Sequence, residues 1–276
     1  MSKGDLLRLS DVRRVIRLVG DCRDLGADPA LWHERMFEGL CRLVGATACA
    51  GGEGLWGRPQ RPVRPLSAFA AGFEPDQLAL YGTYMRQLTP ASDPIFRALQ
   101  PLPGRLVTRT RQELVPDRDW YGAAPWNDYY RPSHLDHQMT SVFQTSAEDA
   151  VDVIALHRTT GDRPFTPREQ RLLSFVHEEI GRLMGQALVS ATEPTPQQVS
   201  PRLRQTLAFL IEGDSEKQVA NRLGVARATA HEYVKRLYRH FKVRSRGELM
   251  AHVIRRIASE HWKAVLPLHE EAKQRT

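Results

Sequence analysis

SEKQVANRLGVARATAHEYVKRLYRHF, residues 215–241, is the stretch whose reading decides the architecture. Ser215-x-x-Gln218 has the form of a capping box, Val219, Ala220 and Leu223 supply the inward side of a short helix, and Gly224 ends it. From Arg227 to Phe241 the apolar residues Ala230, Val234, Leu237 and Phe241 recur at helical spacing. Arg227, His231, Glu232, Lys235, Arg236 and Arg239 are left on the other faces of that helix. A short helix, a glycine turn and a longer polar-faced helix predict a helix-turn-helix. Such a second helix fits the DNA major groove, ~12 Å wide, with hydrogen-bonding side chains on its outer face. By that geometry Arg227, His231, Glu232 and Lys235 reach base edges, whereas Lys217, Arg236 and Arg239 meet phosphates. Glu232 weakens phosphate affinity but can accept from a cytosine amino group.

The charge distribution supports this against the plain alternative of a basic, solvated helix. The chain of 276 residues has 39 Lys+Arg against 32 Asp+Glu, a net charge of +7. Between Val199 and Trp262 there are 13 basic and six acidic residues, and elsewhere the two signs cancel. One segment therefore carries the whole net charge, as expected of a polyanion-binding module beside an electroneutral domain. No charge-free run approaches the ~18 apolar residues of a membrane helix, and MSKGDLLRLSDVRRVIR offers no apolar signal sequence. A soluble cytoplasmic protein with no membrane partner is expected. Cys22, Cys41 and Cys49, an odd number without C-x-x-C spacing, read as reduced core thiols. No lysine lies between Lys3 and Lys217, which excludes a P-loop and the lysine of a phospho-acceptor receiver domain from that region.

Outward from the basic segment, Ser200-Pro201 opens a preceding helix, and Ser245-x-x-Glu248 opens a following one. The apolar side of that last helix, Val253, Ile254 and Ile257 included, exceeds what a four-helix domain needs and is assigned to a dimer contact; packing within the monomer is the alternative. Upstream, helices are expected over Ser10–Leu25, from Pro29 to Val44 behind an Asp28 cap, and over Glu74–Leu88. Strands are expected at Ala46–Ala50, Leu66–Ala70, Met139–Thr145 and Val151–His157. Thr166-Pro-Arg-Glu169 caps a long closing helix. Trp120, Tyr121, Trp126, Tyr129 and Tyr130 crowd into eleven residues and line either an apolar ligand pocket or an ordinary core. His134-x-Asp136-His137 lacks a fourth ligand and reads as a loop, so no metal or cofactor is expected. No nucleophile–base signature stands out.

Residues 199–249, VSPRLRQTLAFLIEGDSEKQVANRLGVARATAHEYVKRLYRHFKVRSRGEL, resemble the LuxR-type (GerE-like) DNA-binding domain. The opening S-P-R, the G-x-S-x-K core, Thr229, Val234 and the closing K-V-R-S-R carry the likeness. The resemblance implies a phosphate contact at Lys217 and groove-facing positions at His231, Glu232 and Lys235, with Thr229 in the DNA-binding set. Two features depart from it: Leu203 and Gln205 replace the usual glutamates, and Ala226 replaces the usual Ser/Thr cap. HRTTGDRPFTPREQRLLSFVHEEIGRLM, residues 157–184, looks like the end of a GAF-type sensor domain. Tyr84 and Asp93-Pro94 fall at the spacing of the autoinducer-binding motif W-x-x-x-Y-x(8)-D-P, although Leu80 stands at its tryptophan.

The sequence thus predicts an α+β protein of two domains. Residues 1–188 form a GAF/PAS-like α/β/α sandwich with an antiparallel sheet, 189–198 a proline linker, 199–262 an all-α four-helix LuxR-type domain, and 263–276 a tail. Its expected activity is that of a non-enzymatic transcriptional regulator binding double-stranded DNA as a homodimer and touching RNA polymerase. Tyr81, Tyr84, Asp93, Trp120 and Trp126 are the candidate contacts for a small-molecule ligand. Three alternatives stay open: an acyl-homoserine-lactone receptor, a ligand-free interaction scaffold on the same DNA-binding chain, and an enzymatic or ligand-binding α/β domain with a basic localising tail.

Overall fold

A computed structural model describes residues 6–56, 64–87, 89, 92–99, 105–145, 150–190, 196 and 199–254. The chain divides into two units, Met1–Thr192 and Glu193–Thr276. Residues 146–149 between the last two expected strands, most of the proline linker, Ile257 and the tail lie outside the described residues.

The first unit begins with α1 (Leu9–Asp24) and α2 (Pro29–Val44). Asp28 caps α2 by accepting from the Ala30 amide at 2.9 Å, and Gly45, at φ 65°, closes it in the left-handed conformation that glycine adopts without a Cβ penalty. Three strands follow: β1 (Ala48–Leu55), β2 (Arg64–Pro65) and β3 (Phe69–Ala71). The strand expected at Leu66–Ala70 is thereby corrected to two short ones. The amides of Leu66 and Ser67 both bond the Glu53 carbonyl, so the chain bends between them. Next come α3 (Pro75–Gln87), α4 (Pro94–Leu99), β4 (Leu106–Thr110), α5 (Arg111–Leu114), α6 (Asp117–Tyr121) and a π-helical turn at Trp126–Tyr130. The long strands β5 (Leu135–Gln144) and β6 (Ala150–Thr159) lead into α7 (Pro167–Leu183). Sequence reading missed β4, whose Arg109 interrupts its short apolar pattern.

The strands form one antiparallel sheet in the order β2-β1-β6-β5-β4, with β3 also pairing β1. Alternation sends Ile154 and Leu156 of β6 to one face and Val151 and Val153 to the other. The first face packs against α1, α2 and α7 through Trp32, Phe37, Leu40, Leu173 and Val176. Arg168 on α7 bonds the buried Asp11 carboxylate at 2.7 Å and ties α7 to α1. On this face His177 bonds Ser141 Oγ at 2.7 Å and Asp152 Oδ2 at 3.0 Å, and Ser141 reaches Thr108 Oγ1 at 2.7 Å. These residue types match a hydrolytic triad, but all are buried between α7 and the sheet, where the relay matches core polar groups rather than meeting a substrate. The opposite face is covered by α3 to α6 and the π-helical turn, with Trp120, Tyr130, Ile95 and Leu135 in its core. The unit is the expected antiparallel sheet between two helical layers.

The second unit contains α8 (Pro201–Ile211), α9 (Glu216–Leu223), α10 (Arg227–His240) and α11 (Arg246–Ile254). Leu207, Leu210, Leu223, Val234, Leu237 and Leu249 build its core. Arg246 donates to the carbonyls of Asp214 at 2.6 Å and Leu210 at 2.9 Å, pinning α11 to the α8–α9 connection. Val253, assigned from sequence to a dimer contact, is 1% exposed inside this core, because its side of α11 faces the other helices. Ile254 is 70% exposed.

Two stability predictions follow from these packings. Burial depresses the pKa of His157, and burial against a smaller opposing effect of Asp152 depresses that of His33, each to about 4. Between the ordinary histidine value of ~6.5 and 4 the unfolded chain binds more protons, so stability falls as pH falls through that window, by up to about 3 kcal/mol for each group. Glu169, held near 2 despite burial by Arg163, Thr166 and Arg158, loses its contribution only below the ordinary carboxylate range. Urea unfolding at pH 7 and pH 5 is expected to show this loss, with a smaller difference in His157→Phe. Ala226 leaves α10 without a side-chain cap. Ala226→Ser is expected to stabilise the second unit by about 1 kcal/mol, read as a calorimetric shift of its transition.

Candidate functional site

Two places on the chain concentrate functional groups: the outward face of α10 and a cavity on the second face of the sheet. The first follows from the turn that precedes it. Gly224 adopts φ 65°, which lets the chain leave α9 and re-enter a helix at Arg227. Ala230, Val234 and Leu237 anchor α10 in the core, so the intervening residues turn outward. Arg227, His231, Lys235, Arg236 and Arg239 are exposed there, and Thr229 and Glu232 are half-buried. Lys217 is exposed in the first turn of α9.

These side chains are already organised among themselves. His231 Nδ1 lies 3.0 Å from Glu216 Oε2, and Glu232 accepts from Arg239 at 2.8 Å with Arg236 at 3.6 Å. Among the described residues Lys217, Arg227 and Lys235 form no ion pair within 4 Å. The face thus presents unpaired cations beside two arginines held by one carboxylate. Exposed pairs of this kind contribute only ~0.2–1 kcal/mol, so an anionic partner can displace them.

The cavity arises from small residues on one side of β1. Ala48, Ala50, Gly52 and Gly54 pair in register with His157, Ala155, Val153 and Val151 of β6, and this row leaves space above the sheet. Gly52 has φ 138° and lies so close to the Ser67 carbonyl that a Cβ would approach within 2.6 Å, so glycine is required there. The empty space above this row, open solvent at its mouth included, is about 750 Å³. Trp56, Tyr81, Tyr84, Phe96 and Tyr130 rise over it, and Gln138, Thr140 and His157 project from the sheet. Burial pushes the Tyr81 hydroxyl pKa up, and burial together with the Asp93 charge does the same for Tyr84. The lining hydroxyls are therefore uncharged.

Of the sequence-derived ligand residues, Tyr81 and Tyr84 line this cavity. Asp93, Trp120 and Trp126 do not, and they are corrected to structural roles. Asp93 Oδ1 accepts from the amides of Ile95 at 2.7 Å and Phe96 at 2.9 Å, capping α4, while its Oδ2 accepts from the Tyr84 hydroxyl. Burial raises its pKa in spite of those bonds. Trp120 is fully buried, packed edge-on to Tyr130 at 5.0 Å and beside Trp126 at 6.2 Å. His137, from the loop considered for metal, contacts Gln112 and the Asp162 carbonyl, and Asp136 accepts from Tyr121. Sequence reading did not single out Trp56, Gln138 or His157; the alternating small residues of ACAGGEG were the available signal.

Residues 197–253 match the family model described as bacterial regulatory proteins, luxR family. No curated protein matches the chain. Among solved structures, SdiA in complex with octanoyl-rac-glycerol is 14% identical with a TM-score of 0.43, over 89% of this chain and 93% of that one. SdiA from Escherichia coli is 15% identical with a TM-score of 0.38, over 83% and 87%. The N-acylhomoserine-lactone-dependent LuxR family transcription factor CepR2 from Burkholderia cenocepacia is 15% identical with a TM-score of 0.40, over 63% and 96%. The family match falls on the same four helices whose glycine turn and outward cationic face were described above, and residues 197–253 are a LuxR-family DNA-binding domain.

Proposed function

We propose that the chain is a cytoplasmic, non-enzymatic regulator of transcription that reads a specific duplex site as a homodimer and senses a small molecule in its α/β unit. The observation that carries this reading is the outward face of α10 within the LuxR-family domain. Arg227, Thr229, His231, Glu232 and Lys235 address base edges, and Lys217, Arg236 and Arg239 hold phosphates. Glu232 plays two parts: it accepts from a base and, in free protein, holds Arg236 and Arg239. A dimer places two such helices on half-sites about 34 Å apart or a multiple of it. Ile254, exposed on α11, is the described residue of the apolar set that is free to join that contact. Contact with RNA polymerase belongs to the same reading.

The sensing half rests on the sheet-face cavity and on where the first unit ends. Val189 donates to the Gly26 carbonyl at 2.8 Å and accepts from Trp32 Nε1 at 3.2 Å, and Ser190 donates to the buried Glu53 carboxylate of β1. Ser190, near the point at which the chain leaves the first unit, is therefore bonded to a cavity-lining strand, and Val189 beside it is bonded to α2 and to the segment before it. A ligand that favours one position of β1 would bias those bonds and shift the population of DNA-competent protein. An acyl-homoserine lactone is a second reading, favoured by the Tyr84–Asp93 bond at the motif positions.

Titrating duplex DNA at several salt concentrations tests the first half. Lys235→Ala and His231→Ala are each expected to cost ~1–3 kcal/mol on the preferred site and to relax its specificity, whereas Lys217→Ala should weaken all duplexes alike and reduce the salt slope by ~1. Unchanged affinity in both Lys235→Ala and His231→Ala, with no sequence preference, would defeat the regulator reading. Removing the carboxylate in Glu232→Ala should raise affinity for random duplex while lowering discrimination. For the sensing half, native mass spectrometry of freshly purified protein is expected to show a retained small molecule. Ser190→Ala should leave that ligand's binding intact and reduce its effect on DNA affinity.

A further inference from the structure

The wall of the sheet-face cavity contains buried polar atoms that the protein itself leaves unmatched. Gln138 and His157 are direct cross-strand neighbours on β5 and β6, and they are 4% and 1% exposed. Among the described residues neither ring nitrogen of His157 has a hydrogen-bond partner, and the same holds for Gln138 Oε1 and Trp56 Nε1. The Gln138 amide nitrogen donates one of its two hydrogens to Thr140 Oγ1 at 2.9 Å, and its oxygen is left as an open acceptor. A buried donor or acceptor left unmatched costs ~1–3 kcal/mol. Four in one wall is a cost that a bound molecule with complementary groups would remove.

The chemistry of those groups is specific. A neutral imidazole offers one donor and one acceptor, and burial keeps the His157 ring uncharged at pH 7. Side chains directly opposed across an antiparallel pair stand ~5 Å apart, so the His157 donor and the Gln138 acceptor form adjacent points of one polar edge. Their complement is an acceptor next to a donor on the ligand. Trp56, the residue after β1, adds a second donor. Among the described residues of the lining, Glu53 is the charged one, and its carboxylate is engaged by Ser190.

The shape of the cavity selects further. Its floor is the flat row of Ala50, Gly52 and Ala155, and aromatic rings stand over it. Around His157 itself the ring centroids of Phe73, Tyr130 and Tyr81 lie at 5.8, 5.8 and 6.4 Å. A flat floor under an aromatic roof favours a rigid planar body, which loses little conformational entropy on entry.

We infer that this cavity takes an uncharged, planar ring compound carrying an N–H or O–H beside a carbonyl, with His157 and Gln138 binding that polar edge. The inference rests on the sensing half of the proposed function and names its ligand class.

The test uses the full chain and isothermal titration with four probes: 2-quinolone, naphthalene, naphthalene-2-carboxylate and N-octanoyl-homoserine lactone. 2-Quinolone is expected to bind, with the two naphthalene probes weaker by about tenfold or more, since one lacks the polar edge and the other brings a charge. His157→Phe and Gln138→Leu should each weaken 2-quinolone by about tenfold and leave naphthalene unchanged. Should His157→Phe fail to fold, His157→Gln, which keeps a donor and an acceptor, should retain most of the binding while Gln138→Leu loses it. Equal binding of 2-quinolone and naphthalene, or undiminished binding in Gln138→Leu, would overturn the inference. Binding of the lactone or the carboxylate in place of 2-quinolone would overturn the class and leave the sensing reading standing. No binding by any probe, together with no small molecule retained on purification, would remove both.

Discussion

Strand β6 is paired on both edges, to β1 and β5, so each of its side chains must enter one of two interiors. Everything in the first unit depends on how the two are filled. One interior receives Ile154 and Leu156 under α1, α2 and α7, where His177 bonds Asp152 and Ser141, and Arg158 is held by Glu169 and backbone carbonyls. The other receives Val151, Val153, Ala155 and His157 opposite a row of alanines and glycines. A sheet cannot leave a gap on one face without firm support on the other, because the strands would shift to close it. The tightly packed face is what keeps the cavity face open.

That asymmetry explains which parts of the molecule were legible in the sequence. Helices whose caps and apolar stripes agree, such as α2 with Asp28 and Gly45 or α7 with Thr166 and Glu169, were readable because local and tertiary preferences coincide. The helix-turn-helix was readable for the same reason, with its charge as an independent sign. Strand β1 was cut short in the reading because ACAGGEGL has low strand propensity. Its conformation is imposed by pairing with β6 over eight residues. The aromatic cluster was noticed for the right composition but divided wrongly. Tyr130 reaches the cavity from the π-helical turn, while Trp120 and Trp126 turn into the core, and a linear sequence does not carry that rotation. Val253 and Ile254 show the same limit on one helix, one buried and the next exposed.

The two sites pay for function in different ways. On α10 the cost is small and electrostatic, since exposed cations are hydrated and paired side chains exchange partners easily. The LuxR-family unit therefore keeps a complete core of its own, with Arg246 and Arg222 bridging its loops while the DNA face stays loosely tied. In the cavity the cost is desolvation, which falls on the stability of the fold itself.

Desolvation has a thermodynamic consequence for sensing. A molecule that satisfies His157 and Gln138 returns free energy to the folded state, and the gain is about 2.7 kcal/mol at a ligand concentration a hundred times its dissociation constant. The gain does not stay local, because β1 carries both the cavity floor and Glu53, and Glu53 holds Ser190 where the chain leaves the unit. Under the proposed sensing role, a ligand that tightens β1 would tighten that hold, and matching the buried polar atoms would add to its affinity. The unmatched atoms would thus give a ligand its hold on the sheet, and β1 would carry that hold to Ser190, where the chain leaves the unit.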